Sequence, residues 1–360
     1  MKIQNSIECI IHESASDNLI KEWRDLWVEL KSKCIFNSPG WFVAANKAFA
    51  YDQIRIITLR DKNSGELLGV LPLVKVRLYG IDSYTLPGID FVDHYSLLIK
   101  RSDDLIIQQL IKSTLSMYFV YIPGVLAETA KFLNSKNNSS SFILDDNPYI
   151  KMRDEFGVIL DRRKKSRHIK RAKRDFGLID LIIDNDKNTA LENAIMIENG
   201  SSKSKKGKNI FDDKKNQAFF KELIAEINDN LFIASLLFSD KPVAYNIGFV
   251  CNGVYACSQK AHIEEYNKYR PGEVMFLKFL EMIIKNHPSE VDIGRGVDSF
   301  KMGYANAIRK LYGVVLSPSS LKRFYFIFVH RLREKTYKLL NSHSYLYRFY
   351  KNIKNTLFFY

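Results

Sequence analysis

The sequence predicts an α/β protein made of two consecutive domains, each combining a mixed, largely antiparallel sheet with flanking helices. At 360 residues the chain exceeds the usual length of one domain. Its composition, 46% hydrophobic and 13% aromatic, is sufficient for buried cores and excludes a disordered chain. Helical and strand-like patterns alternate in both halves, and a basic segment separates them. We therefore place the domains at residues 1–155 and 156–320, followed by a basic, aromatic helical tail at 321–360.

The first half opens with two helical patterns and continues as a hairpin. Residues 19–33 repeat apolar side chains at helical spacing, and a second helix is predicted at 39–50. Two β-rich runs on either side of the Lys-Asn-Ser-Gly segment at 62–65 predict an antiparallel hairpin. One more helix and one more strand complete this half, at residues 105–117 and 118–122.

The second half follows the order β-α-α-β-β-β-α-β after a basic helical stretch at 161–176. Its central feature is a three-stranded antiparallel meander within residues 232–261, with turns at Ser239–Pro242 and Cys251–Gly253. A helix is expected to begin near Pro271, because proline is favoured in a first helical turn. The remaining segments are a strand at 178–184, helices at 189–198 and 215–229, a polar loop at 201–209, and a strand at 291–294.

The charge and cysteine content narrow the class of protein. Lys and Arg number 54 against 40 Asp and Glu, which indicates an anionic partner such as nucleic acid, a phospholipid surface or a phosphate-rich cofactor. The four cysteines form no C-x-x-C pair and no zinc-type cluster, so we expect no metal site and a reducing, cytoplasmic location. The N-terminus lacks a signal-type apolar segment, and no run approaches the ~20 apolar residues that span a bilayer.

The segment Asp292–Tyr304 (DIGRGVDSFKMGY) concentrates glycine and charge in a way that an apolar core does not require. Arg295 and Lys301 can hold a phosphate or carboxylate of an acceptor, or stabilise charge on a reacting carbonyl. Asp292 or Asp298 can orient an attacking amine or hydroxyl. The alternative is a solvated turn whose charges are merely exposed. We assign Asp292 and Lys301 to catalysis, and place in the acceptor site Arg295, Asp298 and Phe300.

A second candidate site is the helix start at Tyr269–Glu273. A helix N-terminus presents free N–H groups and a partial positive charge, Gly272 permits a close approach, and Arg270 can pair with a phosphate. An ordinary Pro-Gly helix start is the alternative.

A proton acceptor is a further kind of candidate, and the first is His262 at the end of a predicted strand, because histidine titrates near neutrality. Glu198 at a helix end is the second. Asp93 and His94 in the first domain are further candidates for contact with the substrate. The alternatives are a surface histidine, a solvated helix face and a buried structural pair.

Several segments together resemble the GNAT acyltransferase superfamily, and more closely its branch associated with bacterial cellulose and exopolysaccharide biosynthesis. In the C-terminal half the resemblance is carried by KPVAYNIGF, GVYACSQKAH, YRPGEVMFLKFLEMI and DIGRGVDSFKMGY. In the N-terminal half it is carried by Phe36–Trp41 (FNSPGW), Gly65–Leu73 (GELLGVLPL) and Gly88–His94 (GIDFVDH). The resemblance spans roughly residues 20–315.

The resemblance implies two tandem GNAT-like domains, the second of which binds acetyl-CoA or another acyl-CoA. The corresponding strand–loop–helix of GNAT proteins cradles the CoA pyrophosphate, which implies a cofactor role for Tyr269, Arg270, Gly272 and Glu273. It also implies direct transfer, in which a base removes the acceptor proton and backbone N–H groups polarise the thioester carbonyl. We expect the acceptor to be a small or lipid-linked saccharide, as a precursor of a bacterial surface polysaccharide.

Two other functions stay open. The same tandem architecture resembles the Fem-type aminoacyl transferases, which would make aminoacyl-tRNA the donor. The basic charge agrees with tRNA, but no long heptad arm is present and other nucleic acid is not expected. The incomplete glycine pattern at 269–275 leaves room for a non-catalytic binding protein. The tail at 321–360 mixes aromatic and cationic residues, which favours either peripheral contact with the inner membrane or docking on the protein.

Overall fold

The computed structural model describes residues 6–100, 104–115, 117, 119–134, 138–152, 167–183 and 185–340. The chain divides into two compact units, one formed by Met1–Asp146 with Arg309–Tyr360 and the other by Asn147–Ile308. The expected boundary between residues 155 and 156 lies outside the described residues. The same holds for residues 161–166 of the basic stretch and 341–360 of the tail.

Strands and helices of the described residues are numbered here along the chain. The strands are β1 Ile7–His12, β2 Ile54–Asp61, β3 Leu67–Leu78, β4 Ile81–Thr85, β5 Leu98–Ile99, β6 Val120–Leu126, β7 Ser139–Lys151, β8 Ile179–Ile183, β9 Leu231–Phe238, β10 Lys241–Cys251, β11 Val254–His262, β12 Glu290–Asp292 and β13 Ala307–Leu316. The α-helices are α1 Asp17–Glu29, α2 Pro39–Phe49, α3 Asp104–Leu115, α4 Ala127–Leu133, α5 Arg167–Phe176, α6 Lys187–Asn199, α7 Ser202–Lys205, α8 Lys214–Ile227, α9 Pro271–Ile283, α10 Ser299–Tyr304 and α11 Ser320–Leu340. Short 3-10 helices occur at Ile35–Asn37, Ile89–Phe91, Ile210–Asp212, Asn228–Asn230, Glu264–Tyr269 and Ile284–Asn286.

One order of elements occurs twice along the chain. Apart from the short β5 and α7, the order β-α-α-β-β-β-α-β-α-β runs from β1 to β7 and again from β8 to β13. Each copy contains antiparallel neighbours and one short parallel pair, β4 with β6 in the first and β11 with β12 in the second. The predicted mixed α/β fold, with sheets flanked by helices, is therefore confirmed.

In the first unit the expected hairpin of β2 and β3 is present, and the neighbouring strands are β1, β4, β6 and β13. The carboxylate of Asp61 accepts the backbone N–H groups of Asn63 and Ser64, which stabilises the turn. Helix α1 begins after the N-cap Ser16 and buries the apolar stripe that the sequence predicted, including Trp23.

In the second unit the strands follow the order β12-β11-β10-β9-β8, and the end of β7 pairs with β12. Helices α6 and α9 pack on the central strands. The pairing of β10 with β11 shifts by one residue between Ile247 and Gly248, where β11 bulges, and a Cβ on Gly248 would lie 2.2 Å from the carbonyl oxygen of Ala256. Glycine is therefore required for the close approach of β10 and β11.

Several elements were not predicted from the sequence. The sequence patterns did not indicate β1, the separate strand β4, β5, β7, β13, α4 or α10, and they indicated a loop in place of α7. Strand β1 is paired along one edge, with β2, and alternates poorly, so its sequence signal is weak. The described part of the tail is one helix, α11, docked through the fully buried Phe326.

Candidate active site

The second unit contains a crevice where two parallel strands separate. Strand β11 pairs with β12 only from Val254 to Ala256, opposite Glu290–Asp292, and then continues to His262 paired with β10 but without β12. Ligands of open α/β sheets bind at the carboxyl ends of the strands, in such a crevice. A pocket of about 160 Å³ lies here, lined by Tyr245, Asn246, Cys257, Lys260, Ala261, His262, Gly272, Met275, Phe276 and Phe300.

The walls of the pocket come from four elements. Strands β10 and β11 supply the sheet side, the first two turns of α9 supply Gly272, Met275 and Phe276, and α10 supplies Phe300. The rings of Phe276 and Phe300 meet edge to face at 5.5 Å. The pocket is thus mainly apolar with a few polar groups, which is the usual character of a small-molecule site.

His262 lies at this pocket, half-buried, with Nε2 2.6 Å from the side-chain oxygen of Asn267. A carbonyl oxygen can only accept, so this contact assigns the ring proton to Nε2 and leaves the Nδ1 lone pair available. An added Cβ on Gly272 would lie 3.7 Å from Nδ1, which places that nitrogen beside the start of α9. The ring can therefore accept a proton at the pocket.

The predicted helix-start site is assembled around Arg270, whose left-handed backbone (φ 49°) caps α9. The exposed guanidinium of Arg270 lies 3.4 Å from the carboxylate of Glu273, and Gly272 lines the pocket. Tyr269 is buried instead, and its hydroxyl donates to Asp175 at 2.9 Å. Tyr269 therefore anchors the loop to α5, while the other three residues surround the free N–H groups of the helix.

Helix α5 adds positive charge beside this loop. The guanidinium of Arg171 lies 5.7 Å from the ring centroid of Tyr269. The exposed cations of α5 are Arg167, Lys170, Arg171, Lys173 and Arg174. Hydrogen bonds from Arg174 first, and from Tyr269 second, lower the pKa of Asp175, which therefore stays ionised in this basic surrounding.

Asp292 and Lys301 are both buried and both hold the turn that follows β12. Asp292 Oδ1 accepts from Asn147 Nδ2 and from the backbone N–H of Gly294, each at 2.8 Å. Lys301 Nζ donates to the carbonyl oxygens of Gly294 at 3.0 Å and Arg295 at 2.6 Å. The buried ammonium is thus matched by backbone carbonyls of its own turn.

The other predicted site residues of the segment Asp292–Tyr304 lie either in solvent or at the pocket. Arg295 and Asp298 are exposed, and Asp298 caps α10 by accepting the N–H of Lys301 at 2.8 Å. Phe300 lines the pocket. The segment predicted as an acceptor site therefore reaches the pocket through Phe300.

Glu198 lies on α6 and is fully buried. Its Oε2 accepts from the hydroxyl of Tyr245 at 2.9 Å, and its Oε1 lies 3.8 Å from Lys203 Nζ. Burial raises the pKa of Glu198, and it lowers the pKa of Lys203. Glu198 is thus connected to the pocket through Tyr245, which lines it.

Asp93 and His94 belong to the first unit. His94 is buried, and its ring meets Phe36 edge-on at 5.7 Å. The backbone of Asp93 packs closely against Gly124, since a Cβ on Gly124 would lie 3.0 Å from the carbonyl oxygen of Asp93. The expected substrate contacts of Asp93 and His94 stay a prediction.

Seven of the residues that line the pocket were not predicted as site residues: Tyr245, Asn246, Cys257, Lys260, Ala261, Met275 and Phe276. A signal existed for Asn246, a polar residue inside the otherwise apolar run of β10. Met275 and Phe276 resembled ordinary core positions of an apolar helix.

The part of the chain that forms the pocket is similar to a known domain. A sequence model of the acetyltransferase (GNAT) domain matches residues 161–302, which contain the pocket and the turn after β12. No curated protein matches the chain. The domain match and the fold together support an acetyltransferase enzyme of the GNAT type, as the sequence predicted. Enzymes with this domain generally use acyl-CoA.

Three solved structures have similar folds. A structure titled FemX has a TM-score of 0.60 at 9% identity, covering 85% of this chain and 96% of that one. A conserved protein of unknown function from Bacteroides thetaiotaomicron gives 0.56 at 11% identity, covering 86% and 100%. L-PGS from Bacillus licheniformis gives 0.53 at 12% identity, covering 89% and 98%. At such identities the likeness is one of fold alone.

The raised pKa of Glu198 predicts a pH-dependent stability. A carboxyl whose folded pKa lies above its ordinary value of 4.5 favours the folded state when protonated, and this contribution is lost as pH rises through the folded pKa. In urea unfolding between pH 4 and 8, Glu198→Gln should therefore gain stability relative to the wild type as pH rises. The exposed Glu192→Gln on the same helix is the control and should show no such trend. A constant difference between Glu198→Gln and the wild type would contradict the prediction.

Proposed function

We propose that the protein transfers an acyl group, most simply acetyl from acetyl-CoA, to an amino or hydroxyl group of a sugar or sugar-linked precursor of a surface polysaccharide. The observation that carries the proposal is the pocket between the separating strands β11 and β12, beside the start of α9 and within the GNAT match. An acyl chain fits an apolar pocket of this size, and the neighbouring helix start favours phosphate.

The residues around the pocket suit direct transfer. Arg270 and the first N–H groups of α9 would hold the phosphates of the donor. Backbone N–H groups on the unpaired edge of β11 would polarise the thioester carbonyl. The acceptor nitrogen or oxygen attacks the carbonyl carbon, His262 Nδ1 takes the acceptor proton, and the C–S bond breaks to release the CoA thiolate, which is then protonated.

The other predicted catalytic residues have supporting positions in this proposal. Asp292 and Lys301 would hold the turn that presents Phe300 to the pocket, and Glu198 would act behind Tyr245 as a second proton acceptor. Arg295 and Asp298, both exposed on that turn, would contact the acceptor.

A second donor is favoured by one specific observation, the exposed cations of α5 next to the loop at 264–270. Such a surface can neutralise successive phosphates of a nucleic acid. In that case the donor would be an aminoacyl-tRNA and the transferred group an amino acid.

Ligand-induced thermal stabilisation distinguishes the donors. At 100 times its Kd, acetyl-CoA should stabilise the folded protein by about 2.7 kcal/mol, which raises the melting temperature by roughly 5–10 °C. Stabilisation by aminoacyl-tRNA and by no CoA thioester would support the second donor instead. A protein stabilised by neither donor would be a binding protein, and the proposal would be wrong.

Replacing His262 tests the proton acceptor. His262→Gln should lower kcat by roughly 10²–10⁴-fold and leave the binding of acetyl-CoA nearly unchanged, because it removes the proton transfer alone. The exposed His287→Gln is the matched control and should keep full activity. An unchanged kcat in His262→Gln would assign the proton transfer to another group, with Glu198 the next to be tested.

We also propose that α11 attaches the enzyme to an anionic membrane surface. One face of this helix exposes a stripe of apolar side chains, with exposed fractions of 76% for Leu321, 68% for Phe324, 56% for Phe328 and 53% for Leu332. Their spacing of three or four residues places them along one side, whereas Phe326 is buried. Such a helix can lie in the plane of a membrane interface.

The charges beside the apolar stripe indicate the kind of membrane surface that α11 would bind. The exposed cations Lys322, Arg331 and Lys335 lie on α11 against one exposed acid, Glu334, and residues 341–360 add Arg348, Lys351 and Lys354 with no Asp or Glu. Anionic headgroups would complement this charge. Among the described residues, every helix is too short or too polar to cross a bilayer, so the contact would be peripheral.

Vesicle sedimentation tests this surface. Replacing Phe324, Phe328 and Leu332 together by Ser should reduce binding to phosphatidylglycerol-containing vesicles at least tenfold, since each buried apolar side chain contributes on the order of 1.5–3 kcal/mol. Ile143→Ser, which removes an exposed apolar side chain of β7, is the control and should bind normally. Equal binding of the triple variant would exclude the membrane role. A wild-type dimer that the triple variant loses would assign the stripe to a second copy.

A further inference from the structure

Two polar groups at the pocket have no hydrogen-bond partner within the described part of the chain. They are the ammonium of Lys260 and the side-chain oxygen of Asn246, and each exposes less than 1 Å². Both residues line the pocket. A buried ammonium without an anion or an acceptor is costly, as is an unpaired amide oxygen. The pair therefore indicates a ligand that provides an acceptor for the ammonium of Lys260 and a hydrogen-bond donor for the oxygen of Asn246.

The register of the sheet brings these two groups together. Asn246 on β10 is directly opposite Lys260 on β11, so their side chains rise from the same face at roughly 5 Å separation between Cβ atoms. The bulge at Ile247/Gly248 then pairs Gly248 with Cys257. The bulge contains one extra residue of β11, so the side chain of Cys257 lies on this face as well. The sulfur of Cys257 accepts a hydrogen bond from Asn246 Nδ2 at 3.4 Å. That bond orients the amide and turns its oxygen away from Cys257.

Two neighbouring lysines differ from Lys260 in having partners. Lys301 donates to two carbonyls, and Lys203 donates to the carbonyl of Lys260 at 2.7 Å and lies 3.8 Å from Glu198. Lys260 Nζ instead lies 5.5 Å from the ring centroid of Phe300. A cation–π contact is weaker than an ion pair with a desolvated anion, so a ligand anion can displace the ring.

We propose that Lys260 and Asn246 recognise a carboxylate that carries an amino or hydroxyl group on a neighbouring carbon, the chemistry of an amino acid or a sugar acid. The carboxylate pairs with the ammonium of Lys260, and the adjacent N–H or O–H donates to Asn246 Oδ1. Phe300 turns aside to admit the ligand. This assignment rests on the proposed acyltransferase and narrows its substrate, since the acid belongs either to the acceptor or to the acyl group.

Matched ligands that differ in the carboxylate test the inference. They also show whether the carboxylate belongs to the acceptor or to the acyl group. For the acceptor, initial rates with acetyl-CoA are compared between 2-amino-2-deoxygluconate and 2-amino-2-deoxyglucitol, and between alanine and alaninamide. For the acyl group, Kd values are compared between malyl-CoA, a hydroxy-dicarboxylic thioester, and 3-hydroxybutyryl-CoA, in which a methyl group replaces the carboxylate. We expect the carboxylate form to be favoured on the order of 10–100-fold in one arm, the usual range for a charge-assisted hydrogen bond.

Variants distinguish recognition of the carboxylate by Lys260 from a general effect of positive charge. Lys260→Met should remove the carboxylate preference, so that the ratio of rates or of Kd values between the carboxylate form and its uncharged partner falls to about one. Asn246→Asp should remove it as well, because the new carboxylate pairs with Lys260 internally. Lys241→Met, an exposed lysine of the same sheet, is the control and should keep the preference. Thermal melting of each variant verifies folding.

The outcomes distinguish this inference from the proposed function. If acyl-CoA binds and neither arm prefers the carboxylate, or if Lys260→Met retains the preference, the inference is overturned and the acyltransferase stands. If no CoA thioester binds, the proposed function fails. The recognition of the acid is then decided by the Kd values of the acceptor pairs, measured by calorimetry in the wild type and in Lys260→Met.

Discussion

The early end of the pairing between β11 and β12 is the constraint on which the site depends. Three residue pairs join the strands, and β11 then continues for six residues without this neighbour. The carboxylate of Asp292, the last residue of β12, is held by Asn147 and by the N–H of Gly294, which directs the chain into a turn and away from the sheet. The space left beside β11 is the pocket, and α9 and α10 cover it with apolar side chains.

The lysines of the second unit differ in whether the protein supplies a hydrogen-bond partner for the ammonium group. Lys301 is bound by its own turn, and Lys203 is near Glu198 and bonded to the backbone of β11. The cations of α5 are exposed to water, where unpaired charge costs little. Lys260 combines burial at the pocket with the absence of a hydrogen-bond partner among the described residues. This contrast, more than the total charge of +14, indicates where an anionic group of the substrate binds.

The segment Asp292–Tyr304 lies at the edge of the pocket, and its buried charged residues bind the backbone of their own turn. Its glycine, aspartate and lysine residues indicated an anion site, and in the structure Asp292 and Lys301 bind the backbone of the turn. Gly294 and Gly296 adopt φ values of 87° and 89°, which explains the two glycines. The turn places Phe300 at the pocket, so the segment shapes the site from its edge.

Local patterning along the chain determined the mixed α/β class, the order of most helices and strands, the hairpin of β2 and β3, and the candidates His262 and Gly272. These features follow from apolar spacing, turn residues and helix starts, which act within a few residues. Tertiary structure decided which residues share the pocket, because that depends on the register of β10 with β11 and on one bulge at Gly248. A shift of one residue reverses the face of every side chain in a strand, so the juxtaposition of Asn246, Cys257 and Lys260 follows from strand pairing and not from local spacing.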